Sequence, residues 1–158
     1  GISFRCRIIG EGEQRSSLDD YIAKHNLKQQ VQLVGALSQD QVAETLPSAD
    51  CYVQPSVIDA SGKMEGIPVS LMEAFASGLP VIATDISGIS ELVRAGETGF
   101  LVPERDSVAL ADALQSVHSD LAYARRLAKA GFELVSAEFS LSKNVLHLSE
   151  VLEQVVGT

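Results

Sequence analysis

At 158 residues, 46% hydrophobic and 21% charged with no tryptophan, the chain has an ordinary globular composition. It is long enough for one domain and hardly for two, and a chain of this length buries roughly 70% of its unfolded surface. A formal net charge of −9 argues against a protein made to grip nucleic-acid backbones, but a small anionic ligand responds to local donors and is still allowed.

No apolar run approaches the ~20 residues of a membrane span, and no basic-then-apolar leader opens the chain, so export is not expected. Cys6 and Cys51 both sit in apolar, strand-like runs. They are expected to be buried thiols of a reducing compartment, with neither a disulfide nor a metal site.

In chain order, "FRCRIIG" reads as a strand, followed by the loop "EGEQRS" and a helix to about His25. "VQLVG" is the second strand. Ser38 and Gln41 then have the spacing of a capping box at the start of a helix that Pro47 should close. "CYVQPS", "PVIATD" and "GFLV" are the third, fourth and fifth strands. Strands alternating with helices predict a Rossmann-like α/β fold, a parallel sheet with helices on both faces. After Asp106 the pattern is all helical. Leu110, Leu114 and Val117 repeat on one face, and Leu141, Val145, Leu148 and Leu152 on another. No linker or internal repeat interrupts residues 1–158, which are expected to form a single domain.

The stretch "EGIPVSLMEAF", Glu65 to Phe75, carries the chemistry. Pro68 suits the first position of a helix, where its missing N–H is no loss. The helix should run to about Ser77, with Gly78 ending it. Ser70, Glu73 and Ser77 fall three and four apart and share one polar stripe, and the remaining helical positions are apolar. That pattern predicts a helix nearly surrounded by protein with one polar slit. The free N–H groups of a helix start favour an anion, phosphate above all. Glycine at position 66 permits a close backbone approach or a positive φ.

Glu65 thus stands beside the anion site, and Glu73 lies roughly 7–8 Å further along the axis. Two acceptors flanking a phosphate suit a sugar joined through phosphate to a ribose. The plainer reading leaves both glutamates solvated, and spacing alone does not choose between the two.

The segment "MEGIPVSLMEAFASGLPVIATDISGISELVRAGETGFLV" closely resembles the C-terminal half of glycosyltransferase family 4 enzymes. These are retaining transferases of the GT-B architecture, in which two Rossmann-like domains face each other across a cleft. "IIGEGEQRSSLDDYI", "VQLVGALSQDQV", "ADCYVQPS" and Phe139-Ser140 fall in that family's order, so the resemblance covers essentially the whole chain. It implies that the chain binds a nucleoside diphosphate sugar as donor substrate, with no metal or other cofactor. Glu73 would accept from the ribose hydroxyls and Glu65, the catalytic candidate, would hold hydroxyls of the transferred sugar. The backbone at Gly66, Ile67, Pro68 and Val69 would line the sugar and diphosphate. Gly10 and Gly12 would have a weaker role near the nucleotide. From its place two residues before Glu65, Lys63 is a candidate for an extra contact to phosphate or sugar, although a loop lysine is usually solvated.

Two departures from that family bear on this expectation. Ile67 and Pro68 stand where many members carry a second glycine and an aromatic residue, so one backbone donor is lost. The family's first strand, its Arg- and Lys-bearing turn, its first helix and its acceptor domain have no counterpart in these residues. The chain is therefore expected to be a piece of a longer protein, inactive alone, with its sheet incomplete at the N-terminal end. The gap would fall between the strands of Ile8 and Val53, where unpaired backbone groups are costly, and self-association is one way to fill it.

The glycan or glycolipid acceptor would be held by the absent domain. The setting implied is cytoplasmic, with any attachment to the inner face of a membrane made elsewhere in the protein. His25, His118 and His147 read as surface residues. Three other readings stay open. A dinucleotide oxidoreductase would need a third glycine where Arg15 stands. A nucleotide-sugar epimerase would share the architecture, and a non-catalytic binding or assembly module would not depend on Glu73.

Overall fold

A computed structural model describes residues 2–58 and 66–156. Its contacts divide the chain into two compact units, with the division between Glu44 and Thr45.

In the first unit β1 (Cys6–Ile9) pairs in parallel with β2 (Val31–Gly35), with a bulge between Ile8 and Ile9. Between them runs α1 (Arg15–Lys24), which ends in a Schellman motif. Asn26 takes the left-handed position at φ 57°, and the Leu27 N–H donates back to the carbonyl of Ile22. α2 (Gln39–Thr45) starts on the capping box expected from its sequence. The Ser38 N–H donates to Gln41 Oε1 at 2.8 Å, and the Gln41 N–H donates to Ser38 Oγ at 3.3 Å. Pro47 does not stop the chain outright; it sits within a 3-10 turn, Leu46–Ser48, that continues the helix.

All of β1 is exposed, Cys6 included, which corrects the expectation of a buried thiol there. The strands of a buried parallel sheet are covered by helices on both faces, and the exposure of β1 shows that it is not enclosed in that way.

The second unit holds a parallel three-stranded sheet in the order β3 (Tyr52–Gln54), β4 (Val81–Thr84), β5 (Phe100–Val102). The strand of Ile8 is thus paired with β2 and that of Val53 with β4, in separate sheets. Every residue of β4 is buried, and its alternating side chains feed two cores. Val81 and Ala83 join Leu71, Ala74, Phe75, Ile89, Leu92 and Val135 on one face. Ile82 joins Val102, Ala113, Val117 and Ala124 on the other. The first core draws on α3 (Val69–Ala76), the four-residue α4 (Ile89–Leu92) and α6 (Leu121–Glu138). The second core is closed by α5 (Ser107–Ser119).

Asp106 caps α5 through Oδ1, which accepts from the N–H groups of Val108 and Ala109 at 3.1 and 2.9 Å. On α5 the predicted stripe holds for Leu110 and Val117, whereas Leu114 is exposed. α7 (Leu141–Val156) forms as its periodicity predicts, yet every residue from 141 to 155 is exposed.

Candidate functional site

The ends of β3 and β4 and the start of α3 converge on the stretch singled out by sequence. Pro68 proves to be the residue before the helix, with φ −64° and an extended ψ of 131°, and Val69 is the first helical residue. Pro68, at the cap position, has no side chain that can cap this start; the Leu71 N–H donates to the Pro68 carbonyl at 3.0 Å. The far end closes as expected, on Gly78 at φ 70° in a Schellman motif whose next residue, Leu79, is buried.

The helix is less enclosed than its composition suggests. Leu71, Ala74 and Phe75 are fully buried, but Val69 is 62% exposed and Ala76 is exposed as well. Positions 69, 73 and 76 lie on one face of a helix, so Glu73, half-buried, sits on an open face and not in a closed slit. Ser70 and Ser77 flank that face, also half-buried. Carboxylate and helix start therefore share one accessible side of the second unit.

The residues before the helix are held by packing. Ile67 is half-buried against the core of Leu71 and Phe75. A Cβ on Gly88 would stand 3.0 Å from its Cγ1, so Gly88 makes room for the Ile67 side chain. Gly66 behaves differently. No described residue other than its chain neighbour comes within 4 Å of where its Cβ would be. Packing among the described residues does not call for glycine there. Glu65 and Lys63 lie outside the described residues.

A polar network, not foreseen from sequence, ties the end of β3 to the first turn of α3. Tyr52 Oη donates to Gln54 Oε1 at 2.6 Å, and Ser70 Oγ donates to the same oxygen at 3.3 Å. Gln54 Nε2 donates to Ser56 Oγ at 2.9 Å. The buried Thr84, at the end of β4, donates its hydroxyl to the Ser56 carbonyl at 2.6 Å. Beyond it, the Ile58 peptide is met by Glu104 and Arg105. The one sequence signal for this network is the glutamine itself, a polar residue at the carboxyl end of a strand in a parallel sheet, where interior positions are apolar.

Gly10 and Gly12 belong to the first unit, at the carboxyl end of β1. Gly10 has φ 138°, which favours glycine, and its N–H donates to the Gly35 carbonyl at 2.8 Å. No described residue approaches within 4 Å of a Cβ built on either glycine. Glu11 between them pairs with Arg15 at 2.6 Å. His25, His118 and His147 are all exposed. Among the described residues no group of three or more His, Cys, Asp or Glu could hold a metal ion. Nor is any described helix long and apolar enough to cross a membrane.

Parallel strands with flanking helices give a Rossmann-like fold, the kind found in the halves of GT-B glycosyltransferase structures. Solved structures bear out the fold. Sucrose-phosphate synthase from Thermosynechococcus elongatus superposes with a TM-score of 0.81 at 30% identity, over 96% of this chain and 38% of that one. Anabaena HepE, solved with UDP-glucose, gives 0.83 at 22% identity over 95% and 41%.

Residues 1–134 match the family described as glycosyl transferases group 1, and the chain belongs to that family. Among curated relatives, the amylovoran biosynthesis glycosyltransferase AmsK of Erwinia amylovora is 39% identical over 98% of this chain and 38% of its own length. The glycogen synthase of Mycobacterium tuberculosis (strain H37Rv) is 34% identical over 84% of this chain and 30% of its own. The chain thus spans well under half of the length of these relatives.

Proposed function

We propose that this chain is the donor-binding part of a retaining glycosyltransferase that moves a sugar from a nucleoside diphosphate sugar to an acceptor hydroxyl. The observation that carries the reading is the start of α3. It is a helix start whose cap position holds a proline that cannot cap it, set on the same open face as the half-buried Glu73. It follows Gly66, where a Cβ would meet no described residue outside its chain neighbours. Helix N–H groups and the positive end of the macrodipole favour the diphosphate. Glu73 accepts from the ribose hydroxyls, and the backbone of Gly66, Ile67, Pro68 and Val69 lines the diphosphate and sugar. Glu65, on sequence grounds, takes hydroxyls of the transferred sugar. Gly10 and Gly12 have the lesser role, beside the nucleotide.

In the reaction the bond from the anomeric carbon to the diphosphate oxygen breaks, and its electron pair leaves with the diphosphate. The anomeric carbon bonds to the acceptor oxygen with its configuration kept, and the acceptor's proton is released. Negative charge grows on the leaving diphosphate. Preorganised donors aimed at such developing charge usually lower the barrier more than any other single effect, and the start of α3 supplies a share of them. The acceptor is assigned to the remainder of the longer protein. Relatives named for amylovoran and for glycogen share this part of the chain, so the acceptor is chosen elsewhere.

The test is a calorimetric titration of the intact protein with UDP-glucose, GDP-mannose and ADP-glucose, repeated on Glu73→Ala and Gly66→Ala. Loss of charge-assisted bonds to the ribose should weaken the preferred nucleotide by about 2 kcal/mol, roughly thirtyfold, in Glu73→Ala. Gly66→Ala should unfold like the wild type, since its new methyl meets no described residue, yet bind the donor more weakly. Nucleotide binding that ignored Glu73 would overturn the ribose assignment and favour a module whose role does not depend on that residue.

A further inference from the structure

Gln54 ends β3, half-buried at a position where a parallel strand is ordinarily apolar. Burying an amide is unfavourable unless its oxygen and nitrogen find partners, and here both do. Oε1 accepts from Tyr52 Oη at 2.6 Å and from Ser70 Oγ at 3.3 Å, which fills the two lone pairs of an amide oxygen. Nε2 donates to Ser56 Oγ at 2.9 Å. The Ser56 carbonyl in turn accepts from the buried Thr84 hydroxyl at 2.6 Å. One side chain thus joins the ends of β3 and β4 to a helix residue 16 positions away in sequence.

That residue, Ser70, is the second of α3. The N–H groups of a helix's first turn have no acceptor within the helix, and those of Val69 and Ser70 belong to that turn. Packing fixes the turn on its inner side, where Leu71 is fully buried, whereas Val69 is exposed. A serine in such a place otherwise turns its hydroxyl to neighbouring backbone groups. The bond to Gln54 holds the hydroxyl to the sheet, and the turn with it. At 3.3 Å this bond is long, and the shorter bonds to Tyr52 and Ser56 keep its acceptor in place.

We propose that Gln54 is a positioning residue for the diphosphate, acting through Ser70 to direct the first-turn N–H groups of α3, an inference that rests on the function proposed above. That function puts the ribose at Glu73 and the diphosphate at the helix start. Val69 and Glu73 are four residues apart, about 6 Å along the axis. The phosphate over the helix start is therefore the one further from the ribose, and a nucleoside monophosphate lacks it.

Glu73 stands a turn further along, on a stretch of helix fixed by Ala74 and Phe75, both fully buried. Releasing Ser70 from Gln54 loosens the start and leaves the ribose contact in place. Hydrogen-bond donors weaken steeply when they lose alignment. The glutamine therefore acts on affinity for the diphosphate and not on affinity for the monophosphate.

The experiment uses the intact protein as wild type, Gln54→Leu, Ser70→Ala and the double variant Gln54→Leu/Ser70→Ala. Calorimetry on the wild type with UDP, GDP and ADP first picks the nucleoside diphosphate that binds tightest. Dissociation constants of that diphosphate, and of its monophosphate by competition against it, are then measured for every variant. Gln54→Leu should weaken the diphosphate about fivefold, the scale of one hydrogen bond, and leave the monophosphate as in wild type. The double variant should bind the diphosphate no more weakly than Ser70→Ala, because the effect of Gln54 passes through that serine.

An unchanged diphosphate affinity in Gln54→Leu would overturn the positioning role. Both nucleotides weakened alike would do the same, since that marks a side chain that only supports the fold. Losses that add up in the double variant would show an action not routed through Ser70, and would also overturn it. If Gln54→Leu does not fold, Ser70→Ala breaks the same bond from the helix, and its weakening both nucleotides equally, or neither, would end the proposal. A wild type that bound none of the diphosphates would instead sink the donor-site reading itself, before any variant was compared.

Discussion

Cys51 opens the run that becomes β3. Its thiol, half-buried and 3.5 Å from the carbonyl of Tyr52, is pushed up from an ordinary 9.0 to about 12, by burial first and by the neighbouring Asp50 carboxylate second. A raised pKa means that the folded chain holds the proton after the unfolded chain has released it. Below pH 9 this group has no effect on stability. Between pH 9 and 12 the unfolded chain gains from ionising and the folded chain does not, so stability falls as pH rises, by at most about 4 kcal/mol at the upper end.

Urea titrations at pH 8 and at pH 11 on wild type and Cys51→Ala should show a shallower alkaline loss in the variant, whatever its stability at pH 8. Equal losses would mean that the thiol titrates normally. Cys6 is exposed on β1, although its thiol too is raised, by the burial of its immediate surroundings. It should therefore react with iodoacetamide well before Cys51.

At the scale of elements, α3 depends on α6 as much as on its own propensity. Gly131 sits within α6, where glycine costs about 1 kcal/mol relative to alanine. The reason for it is the ring of Phe75. A Cβ on Gly131 would fall 2.2 Å from Phe75 Cδ1, so the two helices approach through the gap that glycine leaves. Gly131→Ala should lower stability by about 1–3 kcal/mol through overpacking, despite the better helix former. Phe75→Leu in the same chain should recover part of that loss, because the collision is with the ring. Chemical denaturation of the two single variants and the double closes the cycle, and strictly additive losses would show that Gly131 and Phe75 do not collide.

The helix itself was readable from local rules. Pro68 before its start, the periodic apolar residues and Gly78 after its end act within a turn or two, as do the Ser38–Gln41 box and the Asp106 cap. What could not be read were the joins between distant positions: Gln54 to Ser70, Glu104 to Ile58, Gly131 to Phe75. Nor does periodicity say what a face will meet. It marked the apolar residues of β1 and α7 correctly, and both turn them outward. The role given to Glu65 rests on sequence alone, since that residue lies outside those described.

For the molecule as a whole, the exposed face of α7 weighs more than its core. Leu141, Val145, Leu148 and Leu152 are each more than half exposed, and Val155 extends the same side. Contiguous apolar patches of this kind on soluble proteins mark surfaces that meet something else. A net charge of −9 opposes association only weakly at physiological ionic strength, where the Debye length is about 8 Å. The 158-residue chain by itself should therefore self-associate in a concentration-dependent way through α7.

Sedimentation velocity at a series of concentrations would show this. Leu148→Glu with Leu152→Glu should shift the chain toward monomer while leaving its thermal midpoint nearly unchanged, because neither side chain contributes to the buried core. A wild-type chain that stayed monomeric would remove the role of α7. Association that survived both substitutions would transfer it to another exposed apolar element, with β1 first among them because Ile8 and Ile9 also face solvent. Exposed strands also associate by pairing edge to edge. The two outcomes separate side-chain association from strand pairing, since only the first responds to charges placed on α7.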